Sequence, residues 1–206
     1  FQINTDGLTV NSTGADEVID TWRTWEYLTK MTLEDKYYDR MFIRDVNNYI
    51  AVGDDGTFKR KGAFEFERGW HQNQSAMVVP RAAFGHLVYD FPIDEAIRNH
   101  KNDFDFMLRT KVPRSSRLQI EYGGRTDELQ NVTRYYIGEQ GGKLVKIMPP
   151  LPGKTEERRI GIDKDWLAVP MNVMGEVRNI NYDYYIEETK KLVDPLVHGI
   201  VEGLSE

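Results

Sequence analysis

The sequence predicts an α+β fold: a small antiparallel sheet with one helix packed on it, followed by a mixed α/β region. Three observations carry this expectation. Residues 1–10 hold two apolar, strand-forming runs around Asn4-Thr5-Asp6-Gly7, and an Asp-Gly turn between such runs is a strong hairpin signal. Val18, Ile19, Trp22, Trp25 and Leu28 then recur at helical spacing across 15–30. Beyond residue 104, short extended segments separated or flanked by glycine pairs return the chain to strand character.

Each element follows from its local chemistry. Ser12 and Thr13 ahead of Asp16 and Glu17 make a good helix start, and the apolar face of 15–30 is expected to pack on the sheet. Residues 37–52 read as one strand, broken or bulged, through Tyr38, Met41 to Ile43 and Tyr49 to Val52. Gly53-Asp-Asp-Gly56 is a hairpin turn, with a return strand from Phe58 to Phe66. Gly69 to Ser75 looks like a linker, which places a first region at 1–68 and a second at 76–206. Pro80 suits the first turn of a helix to about Tyr89, and Pro92 opens another to about His100. Extended segments are expected at 104–112, 117–122, 132–138 and 143–148, with Gly123-Gly124 and Gly141-Gly142 as hairpin glycines. Residues 149–180 read as irregular, and a last helix spans 182–203 with a kink at Pro195.

Composition narrows the function classes. The 206 residues suffice for one large domain or two small ones. The absence of cysteine excludes disulfides, thiolate zinc sites and thiol catalysis. No apolar run approaches the roughly 18 residues of a membrane span, so no membrane partner is expected. The net charge of −6 argues against a general nucleic-acid coat yet leaves room for a basic groove. The basic residues are clustered, at Lys59-Arg60-Lys61 and at Arg109, Lys111, Arg114 and Arg117, the second run containing no acid. On a strand, Lys59 and Lys61 share one face, which suits a phosphate backbone. His71, His86, His100 and His198 form no ligand-spaced cluster, and no serine has the partners of a nucleophile.

Several short motifs follow one another in a telling order. Asn4-Thr5-Asp6-Gly7 opens the chain, Asn47-Asn48-Tyr49 and Lys59-Arg60-Lys61-Gly62 follow, and Tyr184-Tyr185-Ile186-Glu187 lies near the end. In this order they resemble the C-terminal palm and thumb of a family B DNA polymerase of the bacteriophage type. The first resembles that family's Asp-Thr-Asp-Ser/Gly metal-binding hairpin. The second lies where the family has Lys-Lys-x-Tyr near the primer terminus, and the third resembles its Lys-x-Lys-Gly strand. The last resembles the family's Tyr-Tyr-Ile-Glu thumb helix.

The resemblance implies a palm end at 1–68 and a thumb-like region at 76–206, and a chain that continues a longer protein beginning before Phe1. It implies that Asp6 is catalytic and, with Asn4, faces the catalytic Mg²⁺ of the intact enzyme. Asn47, Asn48, Tyr49, Lys59, Lys61, Arg109, Lys111, Arg114 and Arg117 would then touch primer–template DNA, with a deoxynucleotide as substrate and the cytoplasm of a bacterial or infected cell as the compartment. The departures are specific. Asn4 replaces the first aspartate and Asn47-Asn48 replace two lysines. The palm segment with the second metal carboxylate and the nucleotide-binding fingers helix have no counterpart in these residues. One hairpin Asp does not hold the two ions of phosphoryl transfer, and Asp45 is a candidate second acid on a strand. The isolated chain is therefore expected to be inactive. A stand-alone nucleic-acid-binding module and an interaction protein are the alternative readings. Exposed palm surface is expected to invite self-association.

Overall fold

The computed structural model describes residues 2–3, 8–10, 14–67, 72, 74–171 and 176–202. The chain divides into two units, Phe1–Ala63 and Phe64–Glu206, and each is α+β with antiparallel sheets. The first begins with β1 (Gln2–Ile3) and β2 (Leu8–Thr9), paired antiparallel with Ile3 opposite Leu8. Helix α1 (Ala15–Thr29) ends where Lys30 turns left-handed, φ 58°, and returns its N–H to the Glu26 carbonyl. Its apolar stripe is only partly covered. Val18, Ile19 and Trp22 are half-buried, whereas Trp25 and Leu28, expected on the packed face, stand exposed. The physical reason is size: so small a unit has too little interior to cover a fifteen-residue stripe.

The segment expected to be one broken strand is instead a hairpin. Strand β3 (Tyr38–Asp45) turns at Val46-Asn47 into β4 (Asn48–Gly53), with Asp45 opposite Asn48 and register shifts near Tyr38 and Asp45. The Asp45 carboxylate causes the reversal by accepting the Asn47 N–H at 2.9 Å, an Asx-type turn. Strand β5 (Phe58–Lys61) completes the order β3-β4-β5. It stops five residues earlier than expected because Gly62 adopts φ 62° and opens a 3₁₀ turn, Gly62–Phe64.

In the second unit, helices α2 (Val78–Tyr89) and α3 (Ile93–Arg98) pack on each other and on α4 (Tyr182–Glu202), which continues through Pro195. The extended segment expected at 104–112 is a 3₁₀ turn, Asp103–Phe106, followed by β6 (Leu108–Lys111). Asn102 caps that turn by accepting the Phe104 N–H. Strand β7 (Arg117–Tyr122) turns at Gly123-Gly124 into β8 (Arg125–Leu129), a strand not anticipated.

Strand β9 (Val132–Met148) organises the sheet. Its first half lies between β6 and β11 (Ala168–Pro170), its second half between β7 and β10 (Arg158–Gly161). The two strands expected at 132–138 and 143–148 are thus one, and two further strands fall in the stretch expected to be irregular. Gly141 and Gly142 serve close packing, not a turn. A Cβ on Gly142 would lie 2.6 Å from Ile120 Cγ1 and 2.8 Å from the Glu121 carbonyl.

Core and helices meet at Tyr185. It is fully buried, and its hydroxyl donates to the Phe106 carbonyl at 2.7 Å while accepting the Ile137 N–H at 3.0 Å. Phe106 and Tyr184 pack edge-to-face on its ring at 5.1 and 4.9 Å. Tyr185→Phe preserves the ring and orphans two buried backbone groups. It should destabilise the chain by about 2–3 kcal/mol in urea denaturation, and a loss below about 0.5 kcal/mol would refute the bridge.

Candidate nucleic-acid interface

The positions implied by resemblance fall into three groups. Asn4 and Asp6 lie outside the described residues. Asn47, Asn48, Tyr49, Lys59 and Lys61 belong to the first unit, and Arg109, Lys111, Arg114 and Arg117 to the second.

Asn48 is half-buried and bonded within its own unit. Its Nδ2 donates to both Asp45 oxygens, at 2.8 and 2.9 Å, and its Oδ1 accepts the Ala63 N–H at 2.7 Å. The side chain thus ties the β3–β4 turn to the end of β5, and a Cβ on Gly62 would collide with it and with the Asn47 carbonyl. Asn48 is therefore a structural staple of this unit. The same bonds bear on Mg²⁺. Both Asp45 oxygens are engaged, and the described residues contain no group of three histidines or acids placed to hold a metal. The residues on which magnesium is expected, Asn4 and Asp6, lie outside the described residues.

The Asn48 amide first, then the Asn47 N–H, holds the exposed Asp45 carboxyl below its ordinary value of 3.8. A lowered folded-state pKa means that this turn's stabilisation is present above about pH 3.8 and fades as pH falls through the folded value. The Asn47 amide and Asn48 side-chain amide resonances should therefore titrate together with a midpoint under 3.8, and Asp45→Ala should abolish the transition. A midpoint at or above 3.8 would contradict the assignment.

The register of the sheet places Tyr49 opposite Lys61 and Ala51 opposite Lys59, so Tyr49, Lys59 and Lys61 share one face. Both lysines are exposed. The Lys59 ammonium stands 5.8 Å from the centre of the Tyr49 ring. Bonding to Tyr49, chiefly, raises the Lys59 pKa against the opposing effect of burial. The ammonium is therefore charged throughout the neutral range.

In the second unit the linear basic run separates. Arg117 opens β7, where Glu157 takes its Nη2 at 2.7 and 2.9 Å and Glu128 lies 4.0 Å from Nη1. Its charge is therefore answered by carboxylates from later in the chain. Arg114 sits exposed in the turn before β7. Arg109 and Lys111 point to one face of β6, and Arg109 lies directly opposite Arg134 of β9.

Arg134 was not singled out from the sequence, because only the register reveals its neighbour. Its Nη1 donates to the Gln74 carbonyl at 3.0 Å, and its guanidinium stacks 5.0 Å from the centre of the Phe104 ring. Burial, chiefly, and then the adjacent Arg109 lower its pKa. Among the described residues, no carboxylate pairs with Arg109, Lys111, Arg114 or Arg134. The Arg109 backbone is anchored by its main-chain N–H, which donates to Ser75 Oγ at 3.1 Å. Two arginines thus stand directly opposite each other on one face, an arrangement that suits a bridging oxyanion.

Comparison with family models, with curated proteins and with solved structures finds no significant match to this chain. Among the described residues, no helix is long and apolar enough to cross a membrane.

Proposed function

We propose that this chain is the C-terminal palm and thumb portion of a bacteriophage-type family B DNA polymerase, and that it grips the phosphate backbone of primer–template DNA. The observation that carries the binding reading is the Arg109–Arg134 pair, like charges set directly opposite across two strands with no carboxylate beside them among the described residues. Such a placement opposes folding and is relieved by a bound polyanion. The order of the four short motifs supports the family. In the intact enzyme, working in the cytoplasm of a bacterial or infected cell, Asp6 would supply a metal carboxylate for nucleotide addition.

A binding module without chemistry uses the same face. The neutral Asn4 and Asn47, and the internally engaged Asn48, favour it as the second reading. The exposed Trp25, Leu28 and Met31 support self-association of the chain under either reading.

The binding test is a salt titration of fluorescence anisotropy on duplex DNA. If about four of Lys59, Lys61, Arg109, Lys111, Arg114 and Arg134 neutralise phosphates, log K against log salt should fall with a slope near −3.6, about −0.9 per phosphate. Arg109→Gln should flatten the slope by about 0.9 while leaving the fold equally stable or more stable, by about 0.2–1 kcal/mol, because a repulsive cross-strand pair is removed. Arg117→Gln should leave the slope unchanged, since Glu157 already pairs with it. A slope indifferent to Arg109, or no binding at low salt, would remove the proposed grip.

The isolated chain should incorporate no nucleotide on a primed template. Template-dependent synthesis by a homogeneous preparation would overturn the division of the active site that the motifs imply.

A further inference from the structure

We propose that Phe104 and the Arg109–Arg134 pair form a subsite for an unpaired template nucleotide, Phe104 stacking the base and the two guanidinium groups taking its phosphate. The inference rests on the DNA-binding reading above and deepens it, because a paired base in a duplex is already stacked and offers no free face.

The ring is presented rigidly. The 3₁₀ turn fixes the backbone of Phe104 at both ends: its N–H donates to Asn102 Oδ1 at 3.2 Å, and its carbonyl accepts the Met107 N–H at 3.1 Å. That turn is anchored in turn by buried Asp105, which pairs with His100 at 2.7 Å and Arg81 at 3.1 Å. Phe106, two residues on, is fully buried, whereas Phe104 remains 45% exposed. The Arg134 guanidinium lies against the Phe104 ring, 5.0 Å from its centre, so the aromatic surface and the cationic pair adjoin. An exposed aromatic ring beside paired cations is the arrangement by which proteins hold single strands without reading sequence. Val132, also exposed, lies on the same face of the sheet as Arg134 and extends its apolar margin.

The experiment separates base from phosphate. Three probes share one duplex: blunt, with a 5′ oligo-dT overhang, and with an abasic overhang of equal length. The full chain should bind the dT-tailed probe about tenfold more tightly than the abasic-tailed one, the scale of stacking one base. Phe104→Ala should reduce that preference to about one, with any other loss of affinity shared equally by the blunt and abasic-tailed probes, and Phe104→Tyr should retain it. Equal affinity of the unaltered chain for the two tails, or a preference that survives Phe104→Ala, would overturn the subsite. The outcomes are independent of the duplex reading, which fails instead if the blunt probe does not bind at low salt.

Discussion

The second unit depends on one buried hydroxyl. Tyr185 Oη connects the last helix to two other elements at once, accepting from Ile137 of β9 and donating to Phe106 at the end of the 3₁₀ turn. Three residues before Ile137 stands Arg134, and three after Phe106 stands Arg109. The bridge therefore fixes the two backbones that must run alongside each other for the arginine pair to exist. Neither backbone group has water to fall back on, since Phe106 and Ile137 are both buried. Burial also drives the Tyr185 phenol well above its ordinary range, so it remains a donor at any accessible pH. A position that must be aromatic, apolar around its ring and protonated at its tip admits Tyr and little else.

Setting two arginines opposite each other works against the stability that the bridge provides. Like charges opposite one another in a sheet are unfavourable, and Arg134 is partly desolvated as well. The protein compensates locally. Gln74 accepts from one guanidinium nitrogen, and the Phe104 ring lies beneath the plane. Both partners are neutral, so the positive charge stays available. Elsewhere on the same unit the opposite solution appears: Arg117 with Glu157, Arg98 with Asp94 and Asp183, Arg125 with Asp127. The contrast between cations answered by carboxylates and cations answered only by an amide carbonyl and a ring is what singles out one face in a chain of net charge −6.

How far the sequence was legible follows from the range of each interaction. Helices α2, α3 and α4 were readable because their signals are local: Pro at an early turn, and apolar residues recurring at helical spacing, as from Tyr185 through Leu192 to Leu196. Turns at Gly53 to Gly56 and at Gly123-Gly124 were readable for the same reason. The β3–β4 reversal was missed because its cause is a side chain, Asp45, acting on the next amides in place of a glycine. Gly141-Gly142 misled in the other direction, marking a close approach of neighbouring strands inside a seventeen-residue strand. Of the candidate site, Lys59, Lys61, Arg109 and Lys111 were legible as charge, but Arg134 was not. Its importance is a matter of register across more than twenty residues of intervening chain, and no local pattern encodes that.

The fate of the basic run at 109–117 shows why linear charge is a poor guide to a binding face. In the sequence its four cations look equivalent, with no acid among them. The fold assigns them to a strand, a turn and a second strand, and Glu157 and Glu128 reach Arg117 from later in the chain. A phosphate approaching Arg117 must compete with a bidentate carboxylate already in place. At Arg109 it meets no such competitor among the described residues and also relieves a repulsion. Attraction to a polyanion would therefore be set by which cations the fold leaves unanswered. Asn48 teaches the same lesson for polar contacts. Once its amide satisfies Asp45 and Ala63, its capacity is used in holding the hairpin, and the charge on that face is left to Lys59 and Lys61.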